Sequence, residues 1–257
     1  MTFVQGAGTA SITLYDAQST TLTAKEGTLA GTSGSFTVNP AAVATLTAAN
    51  PGTQTAGKAF EEALAAKDEY GNTATGYAGE KAIAFSGPSS SPSSEAPKYP
   101  ASVTFTEGAG KAAITLYDAQ STTLTAKQGS VSGTSGSFTV SPAGAASFSV
   151  PTPATQTAGN AFQETITAKD EYGNVATGYT GSKAITFSGP SSSPGGKAPA
   201  YPASVSFSEG AGTASITLYD AQSTTLTAKE GSISGTSGGF TVNPVAAASL
   251  SVPTPTA

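Results

Sequence analysis

Apolar and polar residues alternate with a period of two along most of the chain, in short runs separated by turn-forming residues. Between residues 143 and 244 the apolar members are Phe148 and Val150, then Phe162, Ile166 and Ala168, then Ile185 and Phe187. Val205 and Phe207, Ile216 and Leu218, Leu226 and Ala228, and Phe240 and Val242 continue the rhythm. Such alternation turns every second side chain toward a core and predicts half-buried strands. The runs "DEYGN", "EGAG" and "GTSGG" between them supply the Gly, Asn and Asp of tight turns. No window carries a 3.6-residue apolar stripe, so no helix is expected.

The whole pattern recurs. "ITLYDAQSTTLTAK" begins at Ile12, Ile114 and Ile216 without a change, which places Tyr15, Tyr117 and Tyr219 at intervals of 102 residues. "TQTAG" at Thr53 and Thr155, "KDEYGN" at Lys67 and Lys169, and "FSGPSSSP" at Phe85 and Phe187 keep the same phase. A catalytic centre is needed once per domain, whereas a building unit recurs as length demands. Cuts after Pro40, Pro142 and Pro244 predict the closing part of a module in residues 1–40 and complete modules in 41–142 and 143–244. Residues 245–257 are left as the first strand of another. The joints are short, so the modules are expected to be closely coupled.

Seven short strands per repeat, each with one apolar face, predict an all-β fold: a tandem array of immunoglobulin-like, seven-stranded β-sandwich modules. Residues 1–40, with Phe3, Ile12, Leu14, Leu22, Phe36 and Val38, lack the strands to close a core, as do residues 245–257, with Leu250 and Val252. Both ends are expected to fray or to recruit another chain, and the sequence reads as a piece of a longer array.

Composition narrows the chemistry. The chain has no Cys, no His and no Trp, and its eleven basic residues are all Lys. That removes disulfides, thiolate nucleophiles, Ser-His-Asp arrangements and the usual zinc, haem and iron–sulfur ligand sets. A net charge of −5 without a basic cluster speaks against nucleic acid and anionic membranes, and no apolar run is long enough to insert in a bilayer.

Candidate sites are few. Asp68, Gly71 and Asn72, and their copies Asp170, Gly173 and Asn174, read as an Asx-type turn in which the carboxylate accepts backbone N–H bonds and the glycine or the asparagine takes a positive φ. The competing reading is calcium held at the joint by Asp118, Asp170, Glu171, Glu209 and Glu230. Against it, Glu230 is matched by Gln128 one repeat earlier. A Lys–Asn or Thr–Gln crosslink is not expected, because Asn39 and Asn243 are matched by Ser141, and Lys58 by Asn160. Tyr15, Tyr117 and Tyr219 read as corner tyrosines whose hydroxyls return to a loop carbonyl, and the threonine rows read as exposed strand faces.

The stretch "AGNAFQETITAKDEYGNVATGYTG", followed by "ITFSGP", resembles the filamin-type and invasin-like immunoglobulin repeats of long bacterial surface proteins and adhesins. The resemblance continues through "ASITLYDAQSTTLTAK" and "SGGFTVNP". It implies an extracellular, cell-surface stalk or fibre without catalysis or cofactor, whose partners are neighbouring modules. The Pro/Ser-rich loop from Gly189 to Ser204 is longer than the family pattern. It carries the alternative expectation of a binding module for a glycan or a host protein.

Overall fold

The computed structural model describes residues 1–250 and residue 252, and these hold strands and turns without a helix. In the repeat 143–244 the first sheet runs in the order Ser147–Ser149, Ala161–Lys169, Ala211–Thr217, Val205–Ser208, Gly181–Lys183. Its neighbours are all antiparallel. A second layer faces it in two pieces. One is Gln156–Thr157, Phe240–Asn243, Ser223–Thr224, and the other is Thr186–Ser188, Thr227–Glu230, Ile233–Thr236.

The alternation explains this arrangement. Ile166 and Ala168 on one sheet, Ile216 beside them, and Leu226 and Ala228 opposite all point inward and are fully buried. Residues 43–140 assemble the same layers around Ile114, Leu116 and Phe105 as a separate apolar cluster. The chain is a run of immunoglobulin-like sandwiches.

The seven expected strands are cut into shorter pieces, for a reason. Gly181–Lys183 bonds to the first sheet, and three residues later Thr186–Ser188 bonds to the second. Buried Ile185 sits at the crossing. Ser223–Thr224 and Thr227–Glu230 are separated around buried Leu226 and pair in the two different pieces of the second layer, with Phe240–Asn243 and with Thr186–Ser188. Strands that change sheets make the corners of a sandwich.

Ile233–Thr236 was not expected, because "GTSGG" reads as a turn. It is a strand that passes over the backbone of Phe148, and a Cβ on Gly235 would overlap the Phe148 carbonyl oxygen. Here glycine marks close backbone approach within a strand.

Residues 1–40 form two small hairpin-like pairs, Ser19–Thr20 with Phe36–Thr37 and Thr23–Glu26 with Leu29–Thr32, and an isolated bridge between Val4 and Ala7. The first strand expected in 245–257 falls around Ser251, outside the described residues; Leu250 and Val252 are exposed.

One inward position breaks the apolar rule. Glu62 on Ala59–Lys67, and Glu164 on Ala161–Lys169, lie on the core side of the first sheet and are buried. Neither Glu62 oxygen has a hydrogen-bond partner, and Glu164 Oε1 has none. Burial pushes the Glu62 carboxyl up to about 7, and it raises that of Glu164 as well. The Ala49 N–H near Glu62 offsets a little of this, since it is committed to Ala63 O at 3.0 Å.

A carboxyl that binds its proton more tightly in the folded state favours folding at low pH, and that contribution is lost as pH rises through the folded value. The melting temperature of repeat 41–142 should therefore fall between about pH 5 and pH 8. Glu62→Gln should flatten the slope and stabilise the repeat at pH 8 by about 1–3 kcal/mol, the linkage value being reduced by partial screening. Calorimetry across that range checks this, and a variant with an unchanged slope would count against an unpartnered carboxyl in the core.

Candidate functional site at the joint between repeats

The strand Ala161–Lys169 delivers Asp170 to one pole of its sandwich, where Gly173 takes φ +81° and closes the turn. Asp170 Oδ1 accepts from the backbone N–H groups of Tyr172 and Asn174, both at 2.9 Å. Asp170 Oδ2 accepts from Asn174 Nδ2 at 2.8 Å and from the Ala143 N–H at 3.0 Å. Ala143 follows the proline that ends the previous repeat, so the same carboxylate orders the turn and ties down the linker.

Asn174 then reaches across the joint. Its Nδ2 donates to Tyr117 O at 2.8 Å, and its Oδ1 accepts from the Ala119 N–H at 3.0 Å. Both backbone groups belong to the "YDAQ" corner of the repeat before. The earlier joint uses the same bonds. Asn72 Nδ2 donates to Tyr15 O at 2.7 Å, Asn72 Oδ1 accepts from the Ala17 N–H at 3.0 Å, and Asp68 Oδ2 accepts from the Ala41 N–H at 3.0 Å.

Aromatic rings close the seam. Tyr117 and Tyr172 pack with centroids 4.9 Å apart at 62°, and Tyr15 and Tyr70 with centroids 4.8 Å apart at 57°. The Tyr172 ring lies over Gly57, whose φ is +77°; a Cβ there would overlap the ring. The Pro/Ser-rich loop of the earlier repeat also takes part, since the Ser93 N–H donates to Tyr172 O at 3.0 Å and Pro92 lies against Gly173.

Electrostatics fix the protonation states. Burial opposes ionisation of Asp68. The Asn72 side chain and the N–H groups of Ala41, Asn72 and Tyr70 outweigh it, and the carboxyl lies below its ordinary range. Hydrogen bonding to Glu171, aided by burial, pushes the Tyr172 hydroxyl up to about 12.

The "DEYGN" turn and the "YDAQ" corner meet, but the acidic residues proposed for calcium disperse. Asp118 Oδ2 accepts from Gln120 Nε2 at 2.6 Å and from Ser89 Oγ at 3.3 Å. Glu209 is exposed at φ +47° in a hairpin turn, and Glu171 is exposed beside Tyr172. Glu230 accepts a hydrogen bond from the Tyr179 hydroxyl, and Gln128 accepts the equivalent bond from Tyr77. An acceptor is what that position needs, which is why Glu and Gln exchange there. Among the described residues no three acidic side chains converge on a metal position.

The corner tyrosines differ from expectation. The ring of Tyr117 serves the joint, with Lys98 Nζ 5.2 Å from its centroid, and its hydroxyl makes no return bond to a loop carbonyl. The loop from Gly189 to Ser204 is not a free arm. It is held by Ser193 N–H to Lys197 O at 2.9 Å, by a paired bridge between Ala200 and Thr217, and by Tyr201 stacked on Phe187 at 5.7 Å. Sequence reasoning did not anticipate the reach of Asn174; the available signal was an amide right after a positive-φ glycine in both copies.

No protein-family model and no curated protein matches this sequence. Among solved structures, 89% of the chain aligns with 46% of invasin, a bacterial integrin-binding protein, at 20% identity and TM-score 0.40. InvD of Yersinia pseudotuberculosis aligns over 81% of this chain and 60% of its own, at 18% identity and TM-score 0.39. Domains 4–9 of the surface layer protein SbsC align over 90% and 36%, at 19% identity and TM-score 0.30. The chain thus spans between about a third and three fifths of these proteins. These are distant likenesses, and the joint is read from its own hydrogen bonds.

Replacing Asn174 by Ala removes both cross-joint bonds and leaves the Tyr117 carbonyl and the Ala119 N–H unpaired. The joint should weaken by about 1–3 kcal/mol. Residual dipolar couplings should then report independent tumbling of repeats 41–142 and 143–244. Couplings that still fit one rigid body would show that Asn174 does not hold the joint.

Proposed function

We propose that the chain is a non-catalytic stalk or fibre segment of a secreted bacterial cell-surface protein. The modules are 41–142 and 143–244, flanked by the closing part of one module in 1–40 and the opening of another in 245–257. The observation that carries this reading is the joint, built twice with the same residues and the same hydrogen bonds. A repeated fastening between successive units sets direction and limits bending, which a stalk requires. The surface location rests on the resemblance of the repeat to bacterial surface immunoglobulin repeats. The Pro/Ser-rich loop fits the same role, since Pro92 and Ser93 pack against the next repeat.

The termini of each module suit tension. Gln156–Thr157 near the start pairs in parallel with Val242–Asn243 at the end, as Gln54–Thr55 does with Val140–Ser141. Pulling the two ends apart loads such a parallel patch in shear, so its bonds must break together. Single-molecule stretching should therefore give two unfolding events of near-equal length. Each should release roughly 340–370 Å of contour for 102 residues, less the folded span. A smooth extension without peaks would sink the stalk reading.

A further inference from the structure

The surroundings of Glu62 explain why no donor reaches its two buried oxygens. Thr45–Ala48 runs beside Ala59–Lys67 with Ala48 opposite Leu64, and the same register continued by two residues sets Asn50 opposite Glu62. The polar groups there are already committed. The Ala49 N–H donates to Ala63 O at 3.0 Å, Asn50 Nδ2 donates to Ser137 O at 3.0 Å, and Asn50 Oδ1 accepts from the Gly52 N–H at 2.9 Å. On the other side Glu62 faces Ala112. No cation compensates the carboxyl either. Thr45–Ala48, Gln54–Thr55, Val131–Thr134 and Phe138–Ser141 hold no acidic or basic side chain. Lys111 of Ala109–Thr115 pairs with Glu61 at 3.1 Å on the exposed outer face, and Lys127 of Thr125–Gln128 is exposed. Lys67 Nζ donates to Thr73 Oγ1 at 3.0 Å.

Residues 49–53 carry the chain past Glu62 from the first sheet to the second layer. There Gln54–Thr55 pairs in parallel with Val140–Ser141, and the Ala56 N–H donates to Ser141 O at 2.8 Å. Ala49, Asn50, Gly52 and Thr53 are exposed, so lifting this crossing uncovers little of its own surface. We propose that Glu62 is a pH-operated latch on the crossing. With its proton bound, the carboxyl stays in the core and the crossing is closed. When the proton passes to water, the carboxylate swings out, residues 49–53 lift, and Gln54–Thr55 parts from Val140–Ser141. Keeping a carboxylate from water without donors costs more than the few bonds the crossing makes. Burial favours the protonated form, so opening is suppressed in acid, grows as pH rises toward the folded value of about 7, and levels off above it. The inference is independent of the stalk role.

The test is amide exchange of the full chain, read by NMR between about pH 5 and pH 8 at low denaturant, with rates corrected for the intrinsic effect of pH. Ala49 and Ala56 should exchange through a local opening that denaturant does not promote, faster than Ala66, whose N–H donates to Gly108 O in the body of the sandwich. Their exchange should quicken by up to about tenfold per pH unit from about pH 5 to pH 7 and then level off. Glu62→Gln and Glu62→Met should each remove that dependence, the second without leaving a polar group in the core. Exchange of Ala49 and Ala56 only together with Ala66, in global unfolding, overturns the latch. A local opening that ignores pH overturns it too, as does a pH dependence that both variants retain. The first two outcomes are read on the unaltered chain, so the test stands even where a variant fails to fold.

Discussion

A single buried carboxylate, Asp170, together with its copy Asp68, determines how one repeat meets the next. An ionised carboxylate only accepts hydrogen bonds, and it must be fully supplied when it leaves water. Asp170 takes two donors from its own turn, one from the Asn174 side chain and one from the linker at Ala143. Three parts of the chain are thereby fixed to one another at a point. Asn174 is oriented by the carboxylate it serves, and so its remaining polar groups are aimed at Tyr117 and Ala119. Without that satisfied charge, the turn, the linker and the cross-joint amide would each lose their reference position.

The sandwich was legible because its signal is local. A period of two needs only a few residues to declare itself, and the buried faces fall at Ile166, Ile216 and Leu226 as the alternation implies. The Asx-type turn at Asp170 was legible for the same reason. Three features were not. Asn174 bonds to backbone 57 residues away, a relation that no local pattern contains. Ile233–Thr236 was hidden because glycine in a strand and glycine in a turn look alike until the crossing over Phe148 is known. Glu164 holds the parity of a core position, but a carboxylate there offends the rule by which parity is read, and so it was passed over.

Differences between the copies indicate what the joint requires. Lys98 lies over Tyr117, and although Ala200 occupies the equivalent place in the next repeat, Lys197 reaches the Tyr219 ring from three residues earlier, at 5.0 Å. A cation above a tyrosine face is retained while its address in the loop changes. The exchange of Gln128 for Glu230 keeps an acceptor opposite a tyrosine hydroxyl in the same way. Selection by geometry, with some freedom in residue identity, accounts for both.

The first edge strands also differ in a small way that matters. Ala49, near Glu62, gives its N–H to Ala63 O, while the matching residue beside Glu164 is Pro151, which has no N–H to give. Two beads of the same outline thus have unequal interiors. A string whose beads are unequal does not fail everywhere at once when it is jerked: the weaker bead lengthens first and caps the tension felt by its companions. The repeat that carries Pro151 has one backbone bond fewer to break, the bond that the Ala49 N–H gives to Ala63 O in its neighbour.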